Sequence, residues 1–385
     1  MKQNKKIRVA NVIMEGRYGG PQARITAVAE KLKYVGIETI VVFPKKDSDP
    51  FYKKLSEKNI QTRRLSLHRL TKQKSHFAKF IAFFVSELFS LYKLFKKERV
   101  NIVHCNGSWQ IKGIIAGKLS GAKIVWFLND TQMPKLLRMI FRILTLICCD
   151  AVIANGNRAK KYYLDDLRLL TIPYEVIQSP VDPSIFDPGK VKEDSKIAGY
   201  PGLKIVMVSN INPIKGVEYF IEMASIPNKQ HSDLNFFVVG SHLASQRTYS
   251  ENMSQMVKNL GLKNLHFYGP SDNVPSVLKA ADICVCSSIA EASPISVWEA
   301  MSMAKPIVST DVGDVARFVN NGENGFVVPI KDSVALAEKV SLLVENAGLR
   351  EKLAQKVRDV AVRNLDVNIC AVRHAQFYRE IMRKI

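Results

Sequence analysis

The residues best suited to chemistry lie between Ser287 and Lys305, in the stretch SSIAEASPISVWEAMSMAK, where Glu291 and Glu299 flank the expected start of a helix. Ser293 has the side chain of an N-cap and Pro294 suits a first helical position, so the spacing predicts a helix over residues 295–304. Glu291 then stands in the preceding loop and Glu299 inside the helix. The backbone around Ser293, Pro294 and Ile295, with the helix dipole behind it, favours an anion such as a diphosphate. Each carboxylate can accept hydrogen bonds from hydroxyls on either side of that anion. A nucleotide sugar has this anatomy. A solvated loop residue and a helix-surface residue would give the same spacing.

Two further loops offer groups of the same kind. Asn210-Ile211-Asn212-Pro213-Ile214-Lys215-Gly216 follows an apolar strand at 203–209 and precedes a helix at 217–225. A lysine there either reaches a diphosphate or stands in solvent. Near the N-terminus, Glu15-Gly16-Arg17-Tyr18-Gly19-Gly20-Pro21 joins a strand at 7–14 to a helix with Ile25, Val28, Ala29 and Leu32 on one face. Gly19 and Gly20 let backbone N–H groups approach an anion closely, and the same pair also makes an ordinary tight turn. Arg24 points to a phosphate or lies on the helix surface. Asn129 and Asp130 end a strand at 124–128, where active groups of a parallel sheet gather. His104, ending a strand at 101–104, reads as a structural histidine.

The elements that must position these groups alternate along the chain. Apolar runs at 7–14, 39–43, 101–104, 124–128, 150–155 and 176–182 are separated by helical patterns, as are later runs at 203–209, 234–240, 265–269, 283–286, 307–310 and 326–328. Such alternation predicts α/β architecture with doubly wound parallel sheets. With 385 residues the chain has length for two cores, and a Pro/Gly/Asp-rich passage over 180–202 marks the boundary. The expected units are 1–186 and 187–365, followed by a terminal helix over 366–385.

Composition narrows the class. The basic start leads into too short an apolar run for an export signal, and the runs at 80–85 and 139–149 are short or broken by Arg142, so a cytoplasmic protein without a membrane span is expected. Six cysteines without a Cys-x-x-Cys pair read as buried, reduced thiols, and the seven histidines show no metal-ligand spacing. Residues 1–186 hold 33 Lys and Arg against 14 Asp and Glu, net +19, whereas residues 187–385 hold 23 against 21, net +2. The basic half could attract nucleic acid, an anionic membrane or a phosphorylated substrate, and no nucleic-acid motif accompanies it. Residues 63–99, with ten Lys and Arg and the apolar series Phe77 to Phe95, read as one long amphipathic helix that either covers the sheet or meets a membrane surface.

Glu291-x7-Glu299, continued by Ala300-Met301-x-x-x-Lys305-Pro306-Ile307-Val308-Ser309-Thr310 and preceded by Ala281-Asp282-Ile283 and Ser287-Ser288, resembles the retaining glycosyltransferases of family 4. Lys215-Gly216 and Gly19-Gly20-Pro21-Gln22-Ala23-Arg24 are similar to further segments of that family, so the resemblance spans nearly the whole chain. It implies the GT-B fold: two doubly wound Rossmann-like domains facing across a cleft, an acceptor-side domain first, a nucleotide-sugar domain second, and a terminal helix returning to the first. It implies Glu299 on the ribose hydroxyls, Glu291 on the donor sugar, and Lys215 with the backbone of Ser293, Pro294 and Ile295 on the diphosphate. The loop ending at Val274 would meet the base, and Gly19 and Gly20 would line the donor.

The sequence departs from the family pattern twice. Asn210 stands where an arginine usually assists the lysine, so that either Arg17, Arg24 or another base substitutes or donor binding is weaker, and Asn129-Asp130 stands where many members carry a histidine. The implied reaction moves a sugar from a nucleotide-sugar donor, a UDP- or GDP-sugar, to a glycan or lipid-linked acceptor in cell-surface polysaccharide or lipopolysaccharide assembly. No metal or other cofactor is expected, and the implied location is the inner face of an anionic membrane, with no nucleic-acid partner. A GT-B sugar-nucleotide epimerase and a nonenzymatic basic membrane- or nucleic-acid-binding protein remain as alternatives.

Overall fold

The computed structural model describes residues 6–70, 74–165, 169, 171–229, 231, 233–242 and 244–383. The chain forms two compact units, Met1–Pro180 with Val367–Ile385, and Val181–Asp366.

The sheet of the first unit contains β1 Ile7–Val12, β2 Ile37–Pro44, β3 Gln61–Leu65, β4 Ile102–Asn106, β5 Lys123–Leu128, β6 Ala151–Ala154 and β7 Tyr174–Val176. All pairings are parallel, in the order β3-β2-β1-β4-β5-β6-β7. The central strands are apolar on both faces because helices cover both faces, and residues such as Val9, Val103, Val125 and Ile153 are fully buried. Strand order reverses between β1 and β4, so the loops leaving the C-terminal ends of these strands form the crevice where doubly wound sheets bind ligands.

Residues 63–99 do not form one helix. Gln61–Leu65 is the edge strand β3, which polar Gln61, Arg63 and Arg64 concealed, because an edge strand needs no continuous apolar run. Two helices follow, Lys74–Ala82 and Phe84–Lys97, broken at Phe83, whose backbone leaves helical geometry (φ −100°, ψ 8°) and whose ring stacks on His68 at 5.0 Å. Residues 71–73 of that segment and 384–385 of the expected terminal helix lie outside the described residues.

The second unit contains β8 Leu203–Val208, β9 Leu234–Val239, β10 Leu265–Gly269, β11 Ile283–Cys286, β12 Ile307–Thr310 and β13 Phe326–Val328, in parallel order β10-β9-β8-β11-β12-β13. The order reverses between β8 and β11. That topology brings the loop carrying Lys215 beside the loop carrying Glu291.

The boundary falls at Val181, six residues before the expected position. Hydrogen bonds to the backbone of this segment explain it: Val181 N donates to Leu365 O at 2.8 Å, and Phe186 O accepts from the side chains of Ser302 (Oγ, 2.8 Å) and Arg358 (Nη1, 3.2 Å). Residues 181–186 therefore belong to the second core.

The terminal helix Val367–Arg383 packs on the helix Gly20–Leu32 and shares a core with Val9, Val28, Val125 and Ile153 of the first unit. Tyr378 hydroxyl lies 2.8 Å from His104 Nδ1, and Arg24 Nη2 donates to His374 Nε2 at 3.0 Å.

Candidate functional site

Lys215 ends a 3-10 turn, Pro213–Lys215, capped by Asn212, whose side chain accepts from Ile214 N at 3.0 Å. Gly216 follows at φ +60°, and a Cβ there would lie 2.2 Å from Ser287 O. Only glycine tolerates both the left-handed backbone and the close approach. Ser287 Oγ donates to Gly216 O at 2.8 Å and Ile289 N to Ile214 O at 2.9 Å, locking the two loops together.

Across this contact, Lys215 Nζ donates to Glu291 Oε1 at 2.5 Å, and Ser288 Oγ donates to the same oxygen at 3.0 Å. Burial pulls the Lys215 ammonium down, but the charge of Glu291 and its hydrogen bond outweigh burial and hold the lysine above its ordinary value. Thr310 Oγ1 donates to Ser288 O at 2.6 Å, so β12 supports the Glu291 loop from beneath.

The helix after Glu291 runs Ile295–Ser302, shorter than expected, and its N-cap is Pro294 rather than Ser293. Ser293 Oγ instead accepts from the indole N–H of buried Trp298 at 2.9 Å, which takes the hydroxyl away from the helix terminus. Gly313, at φ +54°, packs against the same turn, since a Cβ there would lie 2.9 Å from Ala292 O and 3.0 Å from Pro294 Cδ. The backbone around Ser293 and Pro294 is therefore wedged rather than free; Val297 N already donates to Pro294 O at 3.0 Å, so the N–H groups of Ile295 and Ser296 are those at the helix start suited to an anion.

Glu299 lies within this helix, half-buried, and among the described residues its carboxylate has no hydrogen-bond or ion-pair partner. Burial alone pushes its carboxyl up to about 8. An unpaired, poorly solvated carboxylate gains more from ligand hydroxyls than one already satisfied.

Asn210 Oδ1 accepts from Ser241 N at 3.1 Å, and a Cβ on Gly240 would lie 2.1 Å from Ser209 O. The side chain at 210 thus ties the loops after β8 and β9 together instead of supplying charge. Val274 begins the helix Val274–Ala280, capped by Asn273 Oδ1 accepting from Ser276 N at 3.3 Å.

In the first unit, Gly19 is the N-cap and Gly20 the first residue of the helix Gly20–Leu32, with Ala23 N donating to Gly19 O at 2.9 Å. Gly19 has extended backbone, φ −170°, so its role is to open the helix start and not to relieve strain. Arg24 is neither on the surface nor aimed at a phosphate. Its guanidinium is buried 3.8 Å above the Phe127 ring and bonded to His374, where burial and the Arg24 charge pull the imidazole down to about 3. Arg17 is exposed and pairs with Glu15 at 2.9 Å.

Asp130 accepts from Tyr163 hydroxyl at 2.6 Å, from Gln132 N at 3.3 Å and from Ser108 Oγ. Its carboxylate is engaged in holding three segments together. Asn129 is half-buried beside Gly107, and among the described residues its amide has no hydrogen-bond partner. Ser108 and Tyr163 went unnoticed in the sequence because their partner Asp130 is 22 and 33 residues away, whereas Ser288 lies three residues before its partner Glu291. Only Ser287-Ser288 carried a local signal.

Family models match both parts of the chain: "Glycosyltransferase Family 4" over residues 18–185 and "Glycosyl transferases group 1" over residues 193–360. The chain is 30% identical over 264 residues to the UDP-Gal:alpha-D-GlcNAc-diphosphoundecaprenol alpha-1,3-galactosyltransferase of Escherichia coli, covering 64% of this chain and 67% of that one. It is 29% identical over 182 residues to the N,N'-diacetylbacillosaminyl-diphospho-undecaprenol alpha-1,3-N-acetylgalactosaminyltransferase of Campylobacter jejuni, covering 47% and 46%. Among solved structures, a glycosyltransferase from Rickettsia africae superposes with a TM-score of 0.83 at 21% identity, covering 99% of this chain and 100% of that one. HepE of Anabaena in complex with UDP-glucose superposes with a TM-score of 0.80 at 18% identity, covering 98% and 100%, a likeness of fold.

Proposed function

The chain belongs to the group 1 glycosyltransferases of family 4, with the GT-B fold, and from that premise we propose that it transfers a sugar, with retention and without a metal ion, from a nucleotide-sugar donor to a lipid-linked acceptor. The observation that carries the reading is the Lys215 to Glu291 contact at 2.5 Å, with Glu299 in the second turn of the helix that follows Glu291 and its carboxylate without a partner among the described residues. Two joined loops and the helix after them thus supply a cation, a helix start suited to an anion and two hydroxyl acceptors, as the diphosphate, ribose and sugar of one donor require.

In this reading Glu299 accepts hydrogen bonds from the ribose diol, and Glu291, oriented by Lys215 and Ser288, accepts one from the donor sugar. Lys215 and the first turn of Ile295–Ser302 hold the diphosphate. Negative charge grows on that diphosphate as the glycosidic bond breaks, so groups already aimed at it stabilise the transition state more than the bound donor. The acceptor hydroxyl attacks from the face the diphosphate leaves, and a phosphate oxygen takes its proton. Asn129, whose amide has no hydrogen-bond partner among the described residues, is a group of the first unit suited to a sugar hydroxyl.

UDP is favoured over GDP, because the Escherichia coli relative is named for a UDP-linked donor and the HepE complex contains UDP-glucose. The two relatives above are named for diphospho-undecaprenol acceptors, which supports a role in surface-polysaccharide assembly at the inner face of a membrane. Thermal shift with UDP-, GDP-, ADP- and TDP-sugars tests the donor site. Selective stabilisation by one nucleotide class, lost in Glu299→Ala, is expected. Stabilisation that survives in Glu299→Ala would remove this carboxylate from the site, and turnover of donor in the absence of acceptor would turn the reading towards an epimerase.

A further inference from the structure

The helix Lys135–Cys148 is apolar on both faces. Its inner face places Phe141, Thr145 and Cys148 in the core. Its outer face exposes Leu136, Met139, Ile140, Ile143, Leu146 and Ile147, with Leu136 and Ile147 each 68% accessible. The exposed residues that interrupt this stripe are Lys135 and Arg142, and the helix has no acidic side chain. A helix covering a sheet in water normally presents a polar outer face, so a predominantly apolar one marks a surface that water does not cover in use.

The neighbouring helices repeat the pattern. Phe77, Ile81, Phe83, Val85 and Phe89 are exposed along Lys74–Ala82 and Phe84–Lys97, among Lys79, Lys93, Lys96 and Lys97. Lys93 Nζ stands 4.4 Å from the Phe89 ring centroid. Both Phe84–Lys97 and Lys135–Cys148 pack on the helix Ile111–Ser120, and Leu91, Phe95, Ile114 and Phe141 enter one core. The outer faces therefore belong to one layer of the first unit, with exposed Leu119 between them.

We propose that these outer faces form one surface that inserts shallowly into an anionic lipid bilayer, Lys135–Cys148 lying in the plane of the interface. Fourteen residues of helix reach about 21 Å, short of the roughly 30 Å hydrocarbon core, and among the described residues no helix is long and apolar enough to cross a membrane. Charge selects the occupant. The first unit holds 37 Lys and Arg against 14 Asp and Glu, and the second holds 19 against 21. A second copy docked through the same face would oppose Lys135, Arg142 and Lys93 with their own equivalents, whereas anionic headgroups complement them. The inference extends the lipid-linked acceptor reading, but its physical basis is this surface alone.

The test is flotation of the full chain with phosphatidylcholine vesicles, with and without phosphatidylglycerol, at low and high salt. The doubly substituted Ile143→Glu/Ile147→Glu protein alters exposed side chains only, and circular dichroism with the donor thermal shift verifies its fold and its donor site. The wild type is expected to float with anionic vesicles at low salt, and the double substitution to weaken this at least about tenfold. Leu146→Trp is expected to show blue-shifted emission quenched by brominated lipid. Equal flotation of wild type and double variant, or an unquenched tryptophan, overturns the proposal. So does a wild type that ignores vesicles but forms oligomers that the glutamates disperse. Vesicle binding that persists when Glu299→Ala abolishes donor binding separates this inference from the transfer reading.

Discussion

The Lys215 ammonium donates to Glu291 Oε1 at 2.5 Å across 76 residues of sequence, joining the loop after β8 to the loop after β11. Neither side chain is fully buried: Lys215 is 32% and Glu291 16% accessible. The pair is accordingly worth little to stability and much to geometry. Each group holds the other in place, and in the proposed donor site that orientation precedes binding.

Lys215→Ala is expected to lower kcat/KM for transfer by about 10²–10³, as loss of one preorganised positive group at a departing anion does, while stability changes by no more than about 1 kcal/mol. Steady-state kinetics and urea denaturation measure the two separately. A normal kcat/KM would remove Lys215 from the reaction.

Gly216 is the hinge on which that contact depends. Alanine there must hold φ +60° and move Ser287 O, which lies 2.2 Å from the position of the added Cβ. A loss of about 3 kcal/mol in unfolding free energy is expected, together with loss of donor binding. Unchanged denaturation midpoints for Gly216→Ala would show that the two loops part easily.

Asn129 and Asp130 adjoin in sequence but should answer differently to substitution. Asp130→Ala removes the acceptor for Tyr163 hydroxyl, Gln132 N and Ser108 Oγ and is expected to cost about 2–4 kcal/mol in stability. Asn129→Ala should leave the melting temperature in place and lower kcat. A stable Asp130→Ala protein with impaired turnover would reverse these roles.

Most of the fold was legible because its signals are local and redundant. Strands β10 to β13 and the helices Val217–Ser225 and Val274–Ala280 have the boundaries their apolar runs and caps suggest. β3 was not legible, since an edge position requires no apolar run and Gln61, Arg63 and Arg64 supply none. In the candidate site, Glu291, Glu299 and Lys215 stood out by type and spacing, while the burial of Arg24 did not. Nothing near Arg24 in sequence announces Phe127 or His374, and a charged residue is buried only when distant partners allow it. The cap at Ser293 failed for a related reason, because Trp298 Nε1 competes for the same hydroxyl.

Glu87 and Lys112 form a buried pair that fixes Phe84–Lys97 to Ile111–Ser120. Glu87 also accepts from His68 N at 3.0 Å, and Lys112 Nζ donates to His68 O at 2.7 Å. Lys112→Met alone leaves a buried carboxylate without its cation and is expected to cost about 3–5 kcal/mol. Combining Lys112→Met with Glu87→Leu should recover most of that loss. A urea double-mutant cycle measures the coupling, and additive losses would show that the charges act independently.

Glu299 gives the site its pH dependence. Burial raises its folded-state carboxyl from 4.5 to about 8, so the folded protein holds a proton that the unfolded chain releases across that interval. Stability from this group is therefore complete below the unfolded value and declines as pH rises through about 8, with a limiting slope of about 1.4 kcal/mol per pH unit. In the proposed donor site binding runs the other way, because there the ribose hydroxyls donate to the ionised carboxylate. Donor affinity is expected to rise with pH towards about 8 and then level, with proton release on binding below that point. Calorimetric titration in buffers of different ionisation enthalpy measures the released proton directly, and Glu299→Gln should abolish both the release and the stability slope. Donor affinity that stays flat between about pH 6.5 and pH 9 would mean that Glu299 is ionised before the donor arrives, and that its burial is relieved in solution.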